Sequence, residues 1–457
     1  MFTKEMGMGV GVVILAAGQG TRMRSPGLPK VLHRLGSLSL VERVVRAVLP
    51  LAPDRIWVVV GYGQNQVRQA LQGYPVTFVE QTQQRGTGHA VQQVIPHLEG
   101  FSGSLLILNG DVPLLRPETL KHLLATHTGH AGDATILTAL VADPQGYGRV
   151  FCDSQGRVTA IIEEKDCTPE QRLQRRVNGG VYCFRVPALL EVLPRLHNHN
   201  QQQEYYLTDA VTLVNYALAL DVEDADELLG INDRLQLAQA YQVWQNRLKR
   251  HWMAAGVTIW DPDSVSLDDE VVLAADVVLE PQTHLRGTTQ VGAASRIGPG
   301  SVIENSQIGQ HCQVVFAVVS DSQIGDYCTV GPYTHIRQNS VIADHCRLGN
   351  FVEVKKTHMG SRSNAAHLAY LGDGVLGEQV NIGAGTIFAN YDGRRKHQTV
   401  IGSGSKTGAN SVLVAPIQVG KGVTIAAGST ITEDVPDDCL VIARARAVLK
   451  PGWRLPE

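Results

Sequence analysis

Small apolar residues return at every sixth position through the second half of this chain, and few architectures tolerate that period. From Ile324 the series runs through Val330, Ile336, Ile342 and Leu348. It lapses, resumes with Leu376 and Ile382, and resumes again with Ile401, Leu413, Val419, Ile425 and Ile431. Thr407 stands in the matching slot, and a small residue usually follows the aliphatic one, as at Gly325, Gly331, Gly349, Gly383 and Ala426. Helices repeat at about 3.6 residues and flat strands at about 2. A six-residue period instead reads as a β-helix, each coil built of three short strands and three turns. The aliphatic residue points into the coil, and the small residue after it lets the backbone turn. Val291, Ile297 and Ile303 belong to the same array, whose start lies near Val257.

At 457 residues the chain is long enough for more than one domain. Charge is nearly balanced, 40 Lys+Arg against 43 Asp+Glu, which removes the electrostatic case for a nucleic-acid partner. Aromatic residues make up 5%, which suits a thin β-helix interior. The seven cysteines are scattered, odd in number and without a C-x-x-C pair. They point to free thiols in a reducing cytoplasm, not to a disulfide framework or a zinc site. The apolar run over 10–17 is too short to span a membrane and reads as a buried strand. The expectation is a cytoplasmic protein with no membrane partner.

The first half alternates aliphatic strands with amphipathic stretches. Residues 10–16, 56–60, 76–79, 105–108 and 135–141 read as strands apolar on both faces, and 41–48 and 64–71 as helices. This is the pattern of a doubly wound α/β unit, which binds ligands at the carboxyl ends of its strands. The first strand runs into Leu15-Ala16-Ala17-Gly18-Gln19-Gly20-Thr21-Arg22-Met23, and Lys30 follows Pro29. Glycines there allow backbone N–H groups to approach phosphate, and Arg22 and Lys30 can neutralise it. Met23 replaces the third glycine of a dinucleotide fingerprint, and no Gly-Lys-Ser/Thr follows. The glycines alone are equally compatible with a structural strand-to-helix turn.

With Leu28-Pro29-Lys30, this loop resembles the signature of sugar-nucleotide pyrophosphorylases. From about Val10 to Trp453 the chain resembles the bifunctional enzymes of UDP-N-acetylglucosamine synthesis. Those enzymes join an N-acetylglucosamine-1-phosphate uridylyltransferase to a glucosamine-1-phosphate acetyltransferase. The resemblance implies an α/β + β architecture. A Rossmann-like, doubly wound nucleotidyltransferase domain spans 1–232, a helical linker 233–256 and a left-handed β-helix acetyltransferase domain 257–457. The handedness comes from the resemblance, since periodicity is silent on it. It also implies a homotrimer, Mg²⁺ at the uridylyltransferase site and acetyl-CoA as acetyl donor. The product would feed peptidoglycan and other envelope glycans, lipopolysaccharide among them.

Asp111 closes the strand at 105–108 through Asn109-Gly110, where a carboxylate can hold Mg²⁺ against phosphates or cap a turn. Asn232 suits a helix N-cap, and the resemblance makes it a second metal ligand and a nucleotide-sugar contact. It further implies that Leu15, Ala16, Ala17, Gly18 and Lys30 contact UDP-N-acetylglucosamine, and that Gln81, Gly86 and Thr87 read the uracil edge. By the same resemblance, Gly148, Glu163 and Asn178 would contact the sugar and residues 204–209 would wall its pocket. Read without it, Gly86-Thr87-Gly88 is an ordinary helix start and Glu163-Glu164-Lys165-Asp166 a solvated turn. Asn109 stands where the family usually has an aromatic, Gly179 where it commonly has Thr, and Ala409 where it often has Ser. Leu237, Tyr241, Trp244, Leu248 and Trp252 fall at helical spacing and read as the packing stripe of one long helix.

In the β-helix, chemistry is expected where the period fails, around 350–356, 366–373 and 381–396. Acetylating an amine requires a base for its proton and donors for the thioester oxygen. His367 is the natural base because imidazole titrates near neutrality, with Glu353 as the partner that fixes its tautomer. The resemblance assigns Arg337, Lys355, Tyr370, Asn381 and Lys396 to glucosamine-1-phosphate. It assigns Ala384, Asn390, Tyr391, Ala409, Ala427 and Arg444 to acetyl-CoA. Acetyl transfer to glucosamine-1-phosphate would precede uridylyl transfer from UTP to N-acetylglucosamine-1-phosphate, with Arg22 and Lys30 as catalytic cations and diphosphate released. One competing reading is a single-function nucleotidyltransferase with a regulatory β-helix, as in ADP-glucose pyrophosphorylases. The other is a trimeric scaffold that merely binds sugar nucleotides. His367, Glu353 and the Asn390-Tyr391 pair favour the enzyme with two activities, because a regulatory solenoid has no need to combine them.

Overall fold

The run Val-Gly-Val-Val-Ile-Leu-Ala has no polar face, so it is stable only when covered on both sides. In the computed structural model, which describes residues 9–454, it forms β1 (Val10–Ala16) at the heart of a mixed sheet. Val12 and Ile14 enter one core and Val13 the other. Around β1 lie β2 (Arg55–Val60), β3 (Thr77–Glu80) and β4 (Ser104–Asn109), and these four strands run parallel to one another. Helices α1 (Leu40–Val48), α2 (Gln64–Ala70), α3 (Thr87–Gln92) and α4 (Pro117–Gly129) connect the early strands. Helix α1 starts at a capping box, with Ser39 and Glu42 satisfying each other's backbone amides.

The remaining strands correct the expectation of a parallel sheet. They are β5 (Ala134–Leu140), β6 (Arg149–Cys152), β7 (Val158–Ile162), β8 (Arg176–Arg185) and β9 (Ala217–Asp221). The order is β9-β5-β8-β4-β1-β2-β3, and β8 runs antiparallel to both β4 and β5. Apolar residues on both faces specify burial, not direction, so the sequence is silent here. The reversal has a use. It brings the start of β8, at Asn178–Gly180, to the carboxyl end of β4, where Asp111 lies.

Contacts divide the chain into one unit up to Trp244 and another from Gln245 on. The boundary falls inside the helix Arg234–Ala254. On the first-unit side, Trp244 is buried beneath the Arg43 guanidinium, 4.4 Å from its ring centroid. In the second unit, buried Gln245 exchanges hydrogen bonds with the backbone of Leu267 (2.7 and 3.0 Å), and Leu248 and Trp252 pack on the β-helix core. Trp244, Leu248 and Trp252 of the expected stripe pack, whereas Tyr241 is exposed at its edge.

The second unit is a parallel β-helix of three sheets with 11, 10 and 9 strands. Ile336, Ile342 and Leu348 sit on successive sheets and are buried, which is the physical source of the period. Where the period lapses, the core does not. Val354 and Met359 are both fully buried five residues apart, as are Leu371 and Leu376 in the next coil. A turn has lost one residue while the inward position is kept. Between Phe388 and Ile401 the opposite happens, and an inserted loop carries Tyr391 to Lys396 outward while Asn390 stays buried at its base. Cysteines serve as corner posts. Cys312, Cys328 and Cys346 fall between Ser295 and Ser363 in one column. Each of the five donates to a carbonyl of the next coil at 2.8–3.2 Å.

One buried group gives the first unit a pH dependence. His127 on α4 is 1% exposed; Nδ1 meets the Thr135 hydroxyl at 3.0 Å, and Nε2 has no partner. Burial, with the nearby charges of His130 and Arg185, pushes its pKa down from 6.5 to about 4. In mild acid the unfolded chain therefore takes up a proton that the folded chain refuses. Stability is full above the unfolded value and falls as pH drops towards the folded one. Between pH 7.5 and 5 this one group costs the first unit about 2 kcal/mol. Urea titrations of the full chain at both pH values check it: the wild-type first-unit midpoint moves down by more than that of His127→Gln. Equal shifts would remove His127 from the account.

Candidate functional site

Two groups of side chains gather, one in each unit. In the first, the loop after β1 turns at Gly20, whose φ is +66° and where an added Cβ would come within 2.4 Å of Lys30 Cβ. Glycine there lets the Lys30 stem cross the loop. Met23 is buried and anchors the turn Thr21–Met23, leaving Arg22 exposed. The Lys30 ammonium reaches Asp111 Oδ2 in a short contact and Asn232 Oδ1 at 3.0 Å. Asp111 and Asn232 are thus joined across 121 positions of sequence by a single cation, and Ile231 N–H donates to the Asp111 carbonyl at 2.9 Å.

Two clefts meet at this point. One, of about 550 Å³, is lined by Leu15, Ala17, Gly18, Lys30, Gln81, Gly86 and Thr87. The other, of about 330 Å³, is lined by Arg22, Gly148, Glu163, Asn178, Thr208 and Asn232. Asp111, Asn109 and Thr87 border both. Ala16 lines neither: strand alternation turns its methyl into the core, so any contact it makes there is through its backbone. Gln81 is buried, with Nε2 on the Gly86 carbonyl (3.2 Å) and on His89 Nδ1 (2.9 Å). Burial lowers the His89 pKa, reinforced by the charge of Arg85. Thr87 Oγ1 accepts from Leu207 N–H at 3.1 Å.

Burial raises the Glu163 pKa and the nearby carboxylates of Asp166, Asp209 and Glu204 add to the rise, while the Thr208 hydroxyl at 3.4 Å opposes it. Gly148 lies directly below it: an added Cβ would stand 3.3 Å from Glu163 Oε2. Asn178 holds the Tyr182 hydroxyl at 2.7 Å. Gly179 has a packing reason, because a Cβ there would come within 2.5 Å of Leu228 Cδ1. A larger residue at 179 would require the Leu228 side chain to shift and would also meet the Leu137 carbonyl, 2.9 Å from the added Cβ.

In the β-helix, Arg337, Lys355 and Tyr370 occupy successive rungs of the 10-stranded sheet. Lys355 is buried, with Nζ 3.4 Å from Asp373, and Asp373 also accepts from Asn390 Nδ2 at 2.6 Å. Lys396 faces Lys355. Two ammonium groups so close resist double protonation, and Lys355 has Asp373 at hand, so the pKa of Lys396 is the one pushed down. Gly372 makes room for this: a Cβ there would meet Asn390 Nδ2 at 2.5 Å and Tyr370 Oη at 2.6 Å. Asp373 is the residue that sequence reasoning passed over as an organiser. Its signal was the shortened turn it sits in.

His367 ends the strand Asn364–His367 on the 11-stranded sheet and is exposed. Asn364, Asn381, Lys406 and Thr424 are partners in register on that sheet. Three residues beyond each stand His367, Ala384, Ala409 and Ala427, so the expected base heads a column of small residues. Backbone bonds tie the column: Asn410 N–H to the Ala384 carbonyl (2.7 Å) and Gly428 N–H to Ala409 (2.8 Å). Arg444 caps the Ala427 carbonyl in a short contact. Tyr391 is exposed on the inserted loop, its hydroxyl on the Gly393 carbonyl at 2.8 Å.

One expectation changes, and another is not met within a single copy. Glu353 is engaged by Arg337 Nε at 3.1 Å and by Nη2, not by His367. The coil above it offers a guanidinium in reach, whereas His367 belongs to the neighbouring sheet. Asn381 lies on the 11-stranded sheet, apart from the cations on the 10-stranded one.

Comparisons with known proteins agree with both halves. The MobA-like NTP transferase domain family matches residues 12–204, and the bacterial transferase hexapeptide (six repeats) family matches 321–356 and 398–433. The gap between the hexapeptide matches is where the turns shorten and the loop inserts. A solved UDP-glucose pyrophosphorylase in complex with UDP-glucose aligns with 52% of this chain at 17% identity and a TM-score of 0.43, a distant likeness. The curated relatives are far nearer. The bifunctional protein GlmU of Synechococcus sp. (strain JA-3-3Ab) is 66% identical over 97% of this chain and 72% of its own. That of Acaryochloris marina is 61% identical over 97% of this chain and 98% of its own. That of Cyanothece sp. (strain PCC 7425) is 61% identical over 98% and 99%. With identity this high from end to end, the chain belongs to the family of the bifunctional protein GlmU.

Proposed function

We propose the following division of labour in a chain that is, by family, a uridylyltransferase and acetyltransferase of UDP-N-acetylglucosamine synthesis. The β-helix unit transfers acetyl from acetyl-CoA to glucosamine-1-phosphate, and the first unit joins N-acetylglucosamine-1-phosphate to UTP with release of diphosphate. The observation that carries the two-activity reading is an exposed His367 heading a column of small residues on one sheet, with the largely buried Lys355–Asp373–Asn390 cluster on the next. A regulatory solenoid has no use for a base, a groove and a phosphate site together.

In the first unit, UTP occupies the larger cleft, with its base against Gln81 and Gly86, and the sugar phosphate occupies the smaller. Asp111 and Asn232 would hold Mg²⁺. The donor set fits: a carboxylate and an amide oxygen converge on one cation, the Lys30 ammonium. Two hard oxygen ligands leave coordination places for phosphates and water, as Mg²⁺ prefers. When bound, the ion neutralises phosphate charge. The sugar-phosphate oxygen attacks the α-phosphorus while the bond to the departing diphosphate breaks. Arg22 and Lys30 stabilise the charge that builds on the phosphates, and no protein nucleophile is required.

In the second unit, Arg337, Lys355 and Lys396 fix the sugar phosphate, and Glu353 holds Arg337 in place. His367 removes the proton from the sugar amine as it attacks the thioester carbon, and CoA departs along Ala384, Ala409 and Ala427 towards Arg444. The site requires a homotrimer, in which a neighbouring copy brings an Asn381 to the cations from which its own is separated. An exposed ridge of Phe316, Tyr333, Phe351 and Leu368 beside the column offers apolar surface for that contact. The setting is cytoplasmic: all seven thiols are free, and UTP and acetyl-CoA are cytoplasmic metabolites. Among the described residues no helix is long and apolar enough to cross a membrane.

Assays of the purified chain that follow CoA thiol and diphosphate separately test the assignment. Asp111→Ala lowers diphosphate release from UTP by roughly two to three orders of magnitude and leaves CoA release intact. His367→Ala does the reverse, with CoA release falling about a hundredfold to ten-thousandfold. Loss of both activities in either folded variant would refute separate sites, and a wild type that never releases CoA would make the β-helix regulatory. Light scattering should give three times the mass of one chain. Mixing refolded His367→Ala with Asn381→Ala should restore part of the acetyl transfer that each lacks, and no recovery in mixed trimers would sink the shared site.

A further inference from the structure

Glu227 is a fully buried carboxylate (0% exposed) that lines neither cleft. Four donors hold it: Arg116 backbone N–H (2.9 Å), Arg116 Nε (2.8 Å), Arg116 Nη2 (2.5 Å) and the Thr119 hydroxyl (2.9 Å). A buried charge is costly unless it is satisfied in this way, and charge-assisted, forked bonds are strong and directional. The placement is what matters. Glu227 stands five residues before Asn232, and Arg116 five residues after Asp111. Nearer still, Ile231 N–H donates to the Asp111 carbonyl at 2.9 Å, and Leu228 is buried against Gly179. The two segments that carry the metal donors are therefore clamped to each other at two points.

We propose that Glu227 is a positioning residue for the metal site: by gripping Arg116 and Thr119 it sets the spacing between the oxygens of Asp111 and Asn232. The proposal rests on the reading that those two residues hold Mg²⁺. Mg²⁺ demands near-ideal octahedral oxygen geometry, whereas Ca²⁺ accepts longer and more irregular ligation. A clamp on the spacing therefore acts on the choice of ion as well as on affinity.

The test uses the full chain with UDP-N-acetylglucosamine and Mn²⁺, binding being read by electron paramagnetic resonance. Glu227→Gln and Arg116→Ala are expected to weaken Mn²⁺ binding about tenfold to a hundredfold, the usual effect of a residue behind a metal ligand. In both, Mg²⁺ should lose more than Ca²⁺ as a displacer of Mn²⁺, while CoA release stays at the wild-type rate. Should Glu227→Gln fail to fold, Arg116→Ala decides the matter. Its side chain is 44% exposed, and its loss leaves Glu227 with Thr119 and a backbone N–H. Wild-type Mn²⁺ affinity in the variants, with binding lost in Asp111→Asn, would overturn the clamp. Weakened binding with an unchanged ratio of Mg²⁺ to Ca²⁺ would mark general loosening and also overturn it. If Asp111→Asn itself binds Mn²⁺ as the wild type does, the metal assignment fails and the clamp with it.

Discussion

Backbone hydrogen bonds between coils, in strict register, fix nearly everything about the second unit. Gln323 N–H donates to Ser340, and Val341 N–H to Thr357, each at 2.9 Å, so every side-chain position recurs one coil on. Such stacking makes columns. Aliphatic columns build the core, and a Ser/Cys column ties one corner to the next carbonyl. A site arises where a column changes character, as where a histidine heads a run of alanines, or where a turn drops a residue and brings Asp373 under Lys355. Because neighbours alone hold each coil, chemistry can be changed in one rung while the array stays intact.

The first unit solves a different problem. Its donors come from distant parts of the chain and no repeat aligns them. They are aligned by a sheet that exposes the ends of β1 and β4 side by side, and by an antiparallel β8 that returns Asn178 to the same edge. Opposite charges then close the arrangement, with the Lys30 ammonium between Asp111 and Asn232. Asn109 takes part, its amide filling the space above Gly180, where a Cβ would come within 2.3 Å of Nδ2. The departures at 109 and 179 are thus accommodated by local packing.

Much of this was legible in the sequence, for reasons that differ by element. The period of six reports burial directly, so Ile336, Ile342 and Leu348 marked the β-helix without further help. The lapses were legible as lapses, yet their cause was hidden. Val354 and Met359 keep the inward position across a shortened turn, which a fixed period does not register. Strand direction left no trace in composition, so β8 was unforeseen. Side-chain pairing was the least legible level. Asn390, assigned to acetyl-CoA, bonds inward to Asp373, and Glu353 meets Arg337 because register sets Arg337 one coil above Lys355. Such contacts depend on which coil lies above which, and that is known only once the turns have been counted.

The column below His367 is also a ruler. Adjacent strands lie about 4.8 Å apart, so three coils separate His367 from Ala427 by about 14 Å. Backbone hydrogen bonds hold that length, and side chains cannot stretch or shorten it. On the proposed path of acetyl-CoA, the distance from the base to each anchor along the column is therefore quantised in whole coils. If the donor runs along it as proposed, the number of coils sets the span that its length has to match.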